Sequence, residues 1–269
     1  MKPYALKHLP LWITLLACGL LLVHGPIGQL DRYHEFADQS QWLGVPHAAD
    51  VLSNLGFAFV ALWGLFALWP QRRHPALAAG WPGYRLFLVG LLLTAVGSSF
   101  YHLAPDNARL VWDRLPIALA CAGLLAAVGA ETRAGAHGAR RAFWLMLCAV
   151  ASVGWWRYTD LHGAGDLRPY LLLQGLPIIL IPVWQAIHRA PRADRLWFGA
   201  ALLLYVFAKY AELHDHQLLL VLGWISGHTL KHLLATAATA LIVGRLAQRL
   251  QNRSAAGGPV FAGRAAGAV

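Results

Sequence analysis

Charged side chains are scarce in this sequence. Asp, Glu, Lys and Arg make up 13% of its 269 residues, hydrophobic types make up 58%, and the mean hydropathy is +0.50. So little polar surface cannot coat a soluble globule of this length, which excludes a soluble domain and indicates an integral membrane protein. Cysteine is nearly missing as well. Cys18, Cys121 and Cys148 each lie inside an apolar run without CxxC or other ligand spacing, so buried thiols are expected rather than a disulfide frame or a cysteine metal cage. There is no period-2 alternation, which excludes a transmembrane barrel in favour of helices, and no internal repeat is evident. The formal charge of +10 does not mark a nucleic-acid partner. The basic residues stand in short clusters between apolar runs, where membrane topology places them.

What is present is a series of apolar segments near 9–24, 50–70, 86–104, 110–130, 142–156, 169–187, 196–213 and 217–244. Most approach the roughly 20 residues that carry a helix across ~30 Å of hydrocarbon. The expected fold class is therefore all-α, a polytopic transmembrane helical bundle. Every second loop is basic: Lys2 and Lys7; Arg72, Arg73 and Arg85; Arg133, Arg140 and Arg141; Arg189, Arg192 and Arg195; Arg245, Arg249 and Arg253. The loops between hold Asp31, Glu35, Asp38, Asp106, Asp160, Asp166, Glu212 and Asp215. The positive-inside rule then predicts cytoplasmic termini, an even number of spans and acid-bearing loops outside. Residues 1–30 form the first transmembrane helix. Lys2 and Lys7 before a short apolar core are also how a signal segment begins, but a clear A-x-A cleavage site is missing. Residues 31–46 form an external loop, 47–247 a seven-helix domain, and 248–269 a disordered cytoplasmic tail rich in small residues.

The stretch "GSSFYHLAPDNARLVWDR", 97–114, concentrates polar chemistry at the edge of the bilayer. Ser98 and His102, four apart on the end of one helix, share a face. Pro105, Asp106 and Asn107 supply a turn, and Asp113 begins the next helix, pointing back to the same layer. Far downstream, "GWISGHTLKHLLA" sets His228 and His232 at i and i+4, a spacing with which one helix grips one metal ion. A lone HxxxH also serves as ordinary packing. Two histidine-bearing faces at similar depth on the same side are a stronger signal, because ionisable groups at membrane depth are costly and face a bundle interior or cavity with partners. Three histidines with a carboxylate nearby match a catalytic zinc, whose fourth position goes to water.

In the order and spacing of Ser98, His102, Asp113, His228 and His232, the chain resembles the CREST superfamily of seven-helix membrane hydrolases, which includes the alkaline ceramidases and the adiponectin-type receptors. The pattern covers roughly 47–247. The resemblance implies that the three histidines hold zinc while Ser98 and Asp113 line the site around the water it activates. Alkaline ceramidases also carry an acidic, tryptophan-containing calcium site before their first helix; "HEFADQSQWLGVPHAADVLSN" offers no residue-by-residue match to it, and calcium stays open. The first apolar segment is additional to the seven-helix pattern.

The same groups suggest a mechanism without the family. Zinc lowers the pKa of water toward about 7 and polarises a carbonyl. Asp113 then accepts the water proton and passes it to a leaving amine, and Ser98 donates to the developing oxyanion, since no histidine is left to make it a nucleophile. The structural alternatives are a Ser98 hydroxyl bonded to its own i−4 carbonyl, and an Asp113 that serves the helix start or pairs with Arg114. Asp50, Ser53 and Asn54 read first as helix caps, and otherwise as groups that order a metal or complete the site. Lys209, Glu212 and Asp215 read as an ion-pair group, Lys231 as pointing to another face, Trp155 and Trp156 as interfacial anchors, and "GLPIILIP" as a bent span. The expected function is zinc-dependent hydrolysis of a ceramide-like lipid amide, or another lipid amide or ester, with the site toward the outer side. The alternatives are a zinc-containing receptor or lipid-binding protein and, behind it, a metal or proton transporter. The expected partner is a membrane lipid and not a nucleic acid; the sequence sets no oligomeric state.

Overall fold

The computed structural model describes residues 3–132 and 137–256, and these are all-α apart from one two-residue ribbon. The helices are α1 (Pro3–His24), α2 (Ala48–Ser53), α3 (Leu55–Leu68), α4 (Trp81–Leu103), α5 (Asn107–Glu131), α6 (Gly138–Leu161), α7 (Arg168–Ile187), α8 (Arg192–Leu213), α9 (Asp215–Leu222) and α10 (Gly227–Ala256). Strands β1 (Gln41–Trp42) and β2 (Val45–Pro46) pair antiparallel inside the loop before α2.

Among the described residues, seven helices are long and apolar enough to cross a membrane: α1, α2 joined to α3, α4, α5, α7, α8 and α10. The segment near 142–156 becomes α6. It has spanning length and packs against α5 and α7, but Arg140, Arg141, Arg157 and Asp160 lie within it and it is not among the seven. The segment 217–244 is not one helix. Gly223, at φ 77°, ends α9, and the last span restarts at Gly227. Of the disordered tail expected at 248–269, residues 248–256 are helical instead: "QRLQNRSAA" contains no helix breaker, and α10 runs on to Ala256. Residues 257–269, like Lys2 and Arg133, lie outside the described residues.

The core is built on α4 and α5. Gly83, Gly90 and Gly97 recur every seven residues along α4, and a Cβ at Gly97 would collide with the carbonyl oxygen of Trp112 on α5. Such a small-residue ridge lets two backbones approach closely where no water drives them together. It also fixes Ser98 and His102, near the end of α4, against Asp113, near the start of α5. Helix α1 packs against α7 and leaves Leu11, Trp12, Leu16 and Leu20 exposed, a lipid-facing surface outside the main bundle.

Candidate metal centre

His102 ends α4, while His228 and His232 occupy the first turns of α10. A Cβ at Gly227 would strike the carbonyl of Ala211, so glycine is what lets the start of α10 sit directly on the end of α8. Asp215 at the head of α9 holds the junction, accepting the His228 backbone N–H at 2.7 Å and the Ala37 N–H at 2.9 Å. The three imidazoles converge. Each offers a nitrogen within 4.8 Å of the other two, and all three side chains are buried, His102 completely. His102 Nε2 lies 3.1 Å from His228 Nε2. Two nitrogens that share one tetrahedral ion at about 2.0–2.1 Å stand roughly 3.3 Å apart, so the spacing fits a common metal.

Proton bookkeeping supports the same conclusion. The Ser53 hydroxyl donates its one proton to the carbonyl of Asp50 at 2.9 Å, so His232 Nδ1, 2.8 Å from Ser53 Oγ, must be the donor there. That tautomer puts a lone pair on His232 Nε2, which is buried and has no hydrogen-bond partner. Lys231 Nζ, a pure donor, lies 3.1 Å from His228 Nε2, which marks that nitrogen as a lone-pair site too. On the third ring, His102 Nε2 points into the centre, and Nδ1 lies 4.0 Å from Asp50 Oδ2, beyond hydrogen-bond distance. The other Asp50 oxygen accepts from Thr229 Oγ1 at 2.5 Å and Ser226 Oγ at 3.3 Å. The lone pair of His232 Nε2 has no partner and that of His228 Nε2 is held by Lys231, so an ion bound by the triad would satisfy the first and take the second from the ammonium.

The centre opens on a cavity of about 910 Å³ whose lining includes Ser98, Asp113, His228 and His232 together with Phe87, Leu91, Leu124 and Leu202. His102, His228 and His232 form the cluster, and Ser98 and Asp113 line the cavity that His228 and His232 also line. Neither structural alternative holds. Ser98 makes no hydrogen bond to its i−4 carbonyl, whereas Thr94, one turn earlier, does so at 2.8 Å. Asp113 does not cap α5; Asp106 does, accepting Arg109 N–H at 2.7 Å, and that backbone bond holds the Asp106 carboxyl below its usual range. Asp113 Oδ1 is buried without a partner and forms no ion pair with Arg114.

Four minor expectations are corrected. Asp50 and Ser53 are not caps: Asp50 Oδ1 accepts from Thr229 and Ser226, Ser53 Oγ meets His232 Nδ1, and Asn54 Nδ2 donates back to the carbonyl of Asp50. Lys231 does not face away: three residues past His228 it stays on the histidine side of α10, bonded to Glu212 Oε1 at 2.8 Å. Glu212 pairs with Lys209 as expected, but Asp215 is used on backbone amides instead. Trp156 is fully buried, so only Trp155 suits an interfacial role. Pro177 and Pro182 both lie inside α7 and Pro177 lines the cavity.

The loop before α2 supplies groups the sequence did not flag. Phe36 stands edge-on over His102 and His228, with ring centroids at 4.6 and 4.5 Å, and His34 Nδ1 meets the Tyr101 hydroxyl at 2.8 Å. Asp38, in the stretch examined for calcium, is occupied by the amides of Ser40 and Asp50. Among the described residues the histidine triad is the one cluster of metal-ligating side chains.

Comparison with protein-family models, with curated proteins and with solved structures finds no match. The functional conclusion therefore rests on the chain's own residues.

Proposed function

We propose that this chain is a zinc-dependent intramembrane hydrolase, akin to the alkaline ceramidases of the CREST superfamily, that cleaves the amide of a ceramide-like lipid or a closely related lipid amide or ester. The observation that carries this reading is the convergence of three buried imidazoles, two with identified lone pairs, beside an unpartnered carboxylate and an unbonded hydroxyl at the head of a large, mainly apolar cavity. Held by His102, His228 and His232, zinc would supply an acidified water and an electrophile for a carbonyl. The remaining work falls to the chain. Asp113 Oδ1, free of hydrogen bonds, takes a proton and returns it to the leaving amine. Ser98, not bonded within its helix, donates to the carbonyl oxygen as negative charge grows there. Phe36 and its loop cover the rings and keep bulk water from them. Phe87, Leu91 and Leu124 seat the acyl chains.

Asp113→Asn tests the reading, because it keeps the shape and removes the base. The variant should retain its zinc while hydrolysis of a ceramide panel falls by about two orders of magnitude or more. Unchanged turnover would remove Asp113 from the chemistry. The cover formed by Phe36 also suits a second reading, a receptor that keeps zinc structurally. Zinc and lipid binding by a wild-type protein that cleaves no amide or ester would establish it. A transporter is disfavoured, since the buried charges form two separate groups, one at the far end of α10 and one at the end that holds the metal centre, instead of lining a path. We place that end outside the membrane: a tag inserted near Gly163 should be external and one after Arg253 cytoplasmic.

A further inference from the structure

Beside the metal centre lies a cation without a counterion. Arg114, on α5 next to Asp113, is only 3% exposed and lines the same cavity. Its guanidinium lies 4.0 Å from the ring centroid of Trp156, 5.2 Å from that of Tyr33 and 5.5 Å from that of Tyr170. Its one hydrogen bond runs from Nη2 to Gln29 Oε1 at 2.9 Å. Gln29 is oriented for this by donating its own amide to Asn107 Oδ1 at 3.1 Å, so the partner offered to Arg114 is a neutral carbonyl. Nε and Nη1 are buried and unbonded.

The neighbouring arginines show how unusual this is. Arg109, Arg157 and Arg168, at the same end, each have a carboxylate: Asp106, Asp160 and Asp166 at 3.0, 2.6 and 2.9 Å. A buried cation normally has such a partner, because desolvating it is costly. Aromatic faces recover part of that cost, but they leave the in-plane N–H groups of Nε and Nη1 unused. Nε and Nη1 lie on different edges of the guanidinium, so each is free to donate its own charge-assisted hydrogen bond to an oxyanion.

We infer that Arg114 is an anion-binding residue of this cavity and that the ligand is an amphiphile whose head carries an oxyanion, a carboxylate or phosphate, with its chain among Phe87, Leu91 and Leu124. An amphiphile suits the place better than a free anion, because Arg114 and the apolar walls line one continuous cavity. The inference deepens the hydrolase reading by giving its substrate a charged head, and it rests on that reading for turnover but not for binding.

The test therefore uses probes that no amidase or esterase cleaves. Hexadecylphosphonate and hexadecanol share a chain and differ in charge. The full chain in phosphatidylcholine nanodiscs should bind the phosphonate at least about tenfold more tightly than the alcohol, the scale of a charged hydrogen-bond pair. Arg114→Gln should reduce that ratio about tenfold, while any contribution from the histidine-bound metal is common to both proteins. A ratio unchanged by Arg114→Gln, or a wild type without preference, overturns the inference. Should Arg114→Gln fail to fold, Arg114→Met decides, since it packs on the aromatic faces without charge or donors: a ratio lowered about tenfold supports the inference, and an unchanged one overturns it. Inorganic phosphate that displaces the phosphonate with equal potency would make a free anion the ligand and overturn the amphiphile. Ceramide turnover is measured separately, so a failed hydrolase reading and a failed Arg114 reading are distinguishable.

Discussion

The two ends of the bundle treat buried charge in opposite ways. At the end where α5, α8 and α10 carry Glu131, Asp194, Arg245 and Arg249, the groups neutralise one another: Asp194 Oδ1 takes Arg245 Nε at 2.6 Å and Arg249 Nε at 3.0 Å, and Arg249 reaches Glu131 at 2.9 Å. At the other end, Asp50 Oδ2, Asp113 Oδ1, His232 Nε2 and two nitrogens of Arg114 are buried without hydrogen bonds. Seventeen residues of α10, about 26 Å of helix, separate His228 from Arg245. A satisfied network clamps helices together; a set of buried groups left incomplete is one that a ligand completes. One end therefore clamps the bundle, and the other is where the proposed chemistry would fall.

The largest effect expected from this division is at the histidines. His228→Ala/His232→Ala should take the zinc content of purified protein from about one per chain to nearly none, with all hydrolysis lost. Equal zinc in wild type and double variant would break the comparison at its functional end. At the clamp, Asp194→Asn should leave two buried guanidiniums short of a charge and destabilise the protein by about 3–5 kcal/mol, read as a lowered melting temperature, with zinc per chain unchanged. Zinc lost along with stability would mean that the ends are not independent.

A smaller effect is expected at the groups beside the rings. Asp50→Asn and Ser53→Ala leave all three ligands in place, yet each should weaken metal affinity by about 10–100-fold, measured by competition with a chelator. Wild-type affinity in both would reduce these residues to packing.

How much of this was legible in the sequence follows from helix geometry. Ser98 with His102, and His228 with His232, could be read because an i, i+4 spacing on a helix converts directly into a shared face. The helical fold could be read because composition and hydropathy decide it. Asp50 and Ser53 could not, since at a helix start they look the same whether they cap a backbone or reach Thr229 and His232, and the contact from Ser53 spans 179 residues. Arg114 was obscured by its neighbour. Asp113 beside it suggests a pair, but consecutive helical residues point about 100° apart and do not meet. Trp156 was misread for a related reason: a tryptophan near a span end resembles an anchor, and here it is the face on which that arginine lies. Phe36 and Gln29 come from a loop without periodicity, which gives no pattern from which to place them.

The smallest effect concerns how that loop is fastened. Asp166, between α6 and α7, accepts the Ile27 N–H at 3.3 Å, Trp155 Nε1 at 2.9 Å and Arg168 Nη2 at 2.9 Å. Burial opposes its charge, but the bonds from the Arg168 side chain, from Trp155 and from the Arg168 and Ile27 amides outweigh it and hold the carboxyl well below the ordinary carboxylate range. A carboxylate depressed in the folded state stabilises above its unfolded value, near about 3.9, and loses that contribution only as pH falls through the folded value. Asp166→Asn should therefore lower the melting temperature by a few degrees, by the same amount at pH 7 and pH 5, with the gap to wild type closing only below about pH 4. Zinc content should not change, since Asp166 bonds to none of the residues around the triad. A gap that closed between pH 5 and 6 would point to histidine titration instead, and would tie the fastening of the loop to the metal end of the molecule.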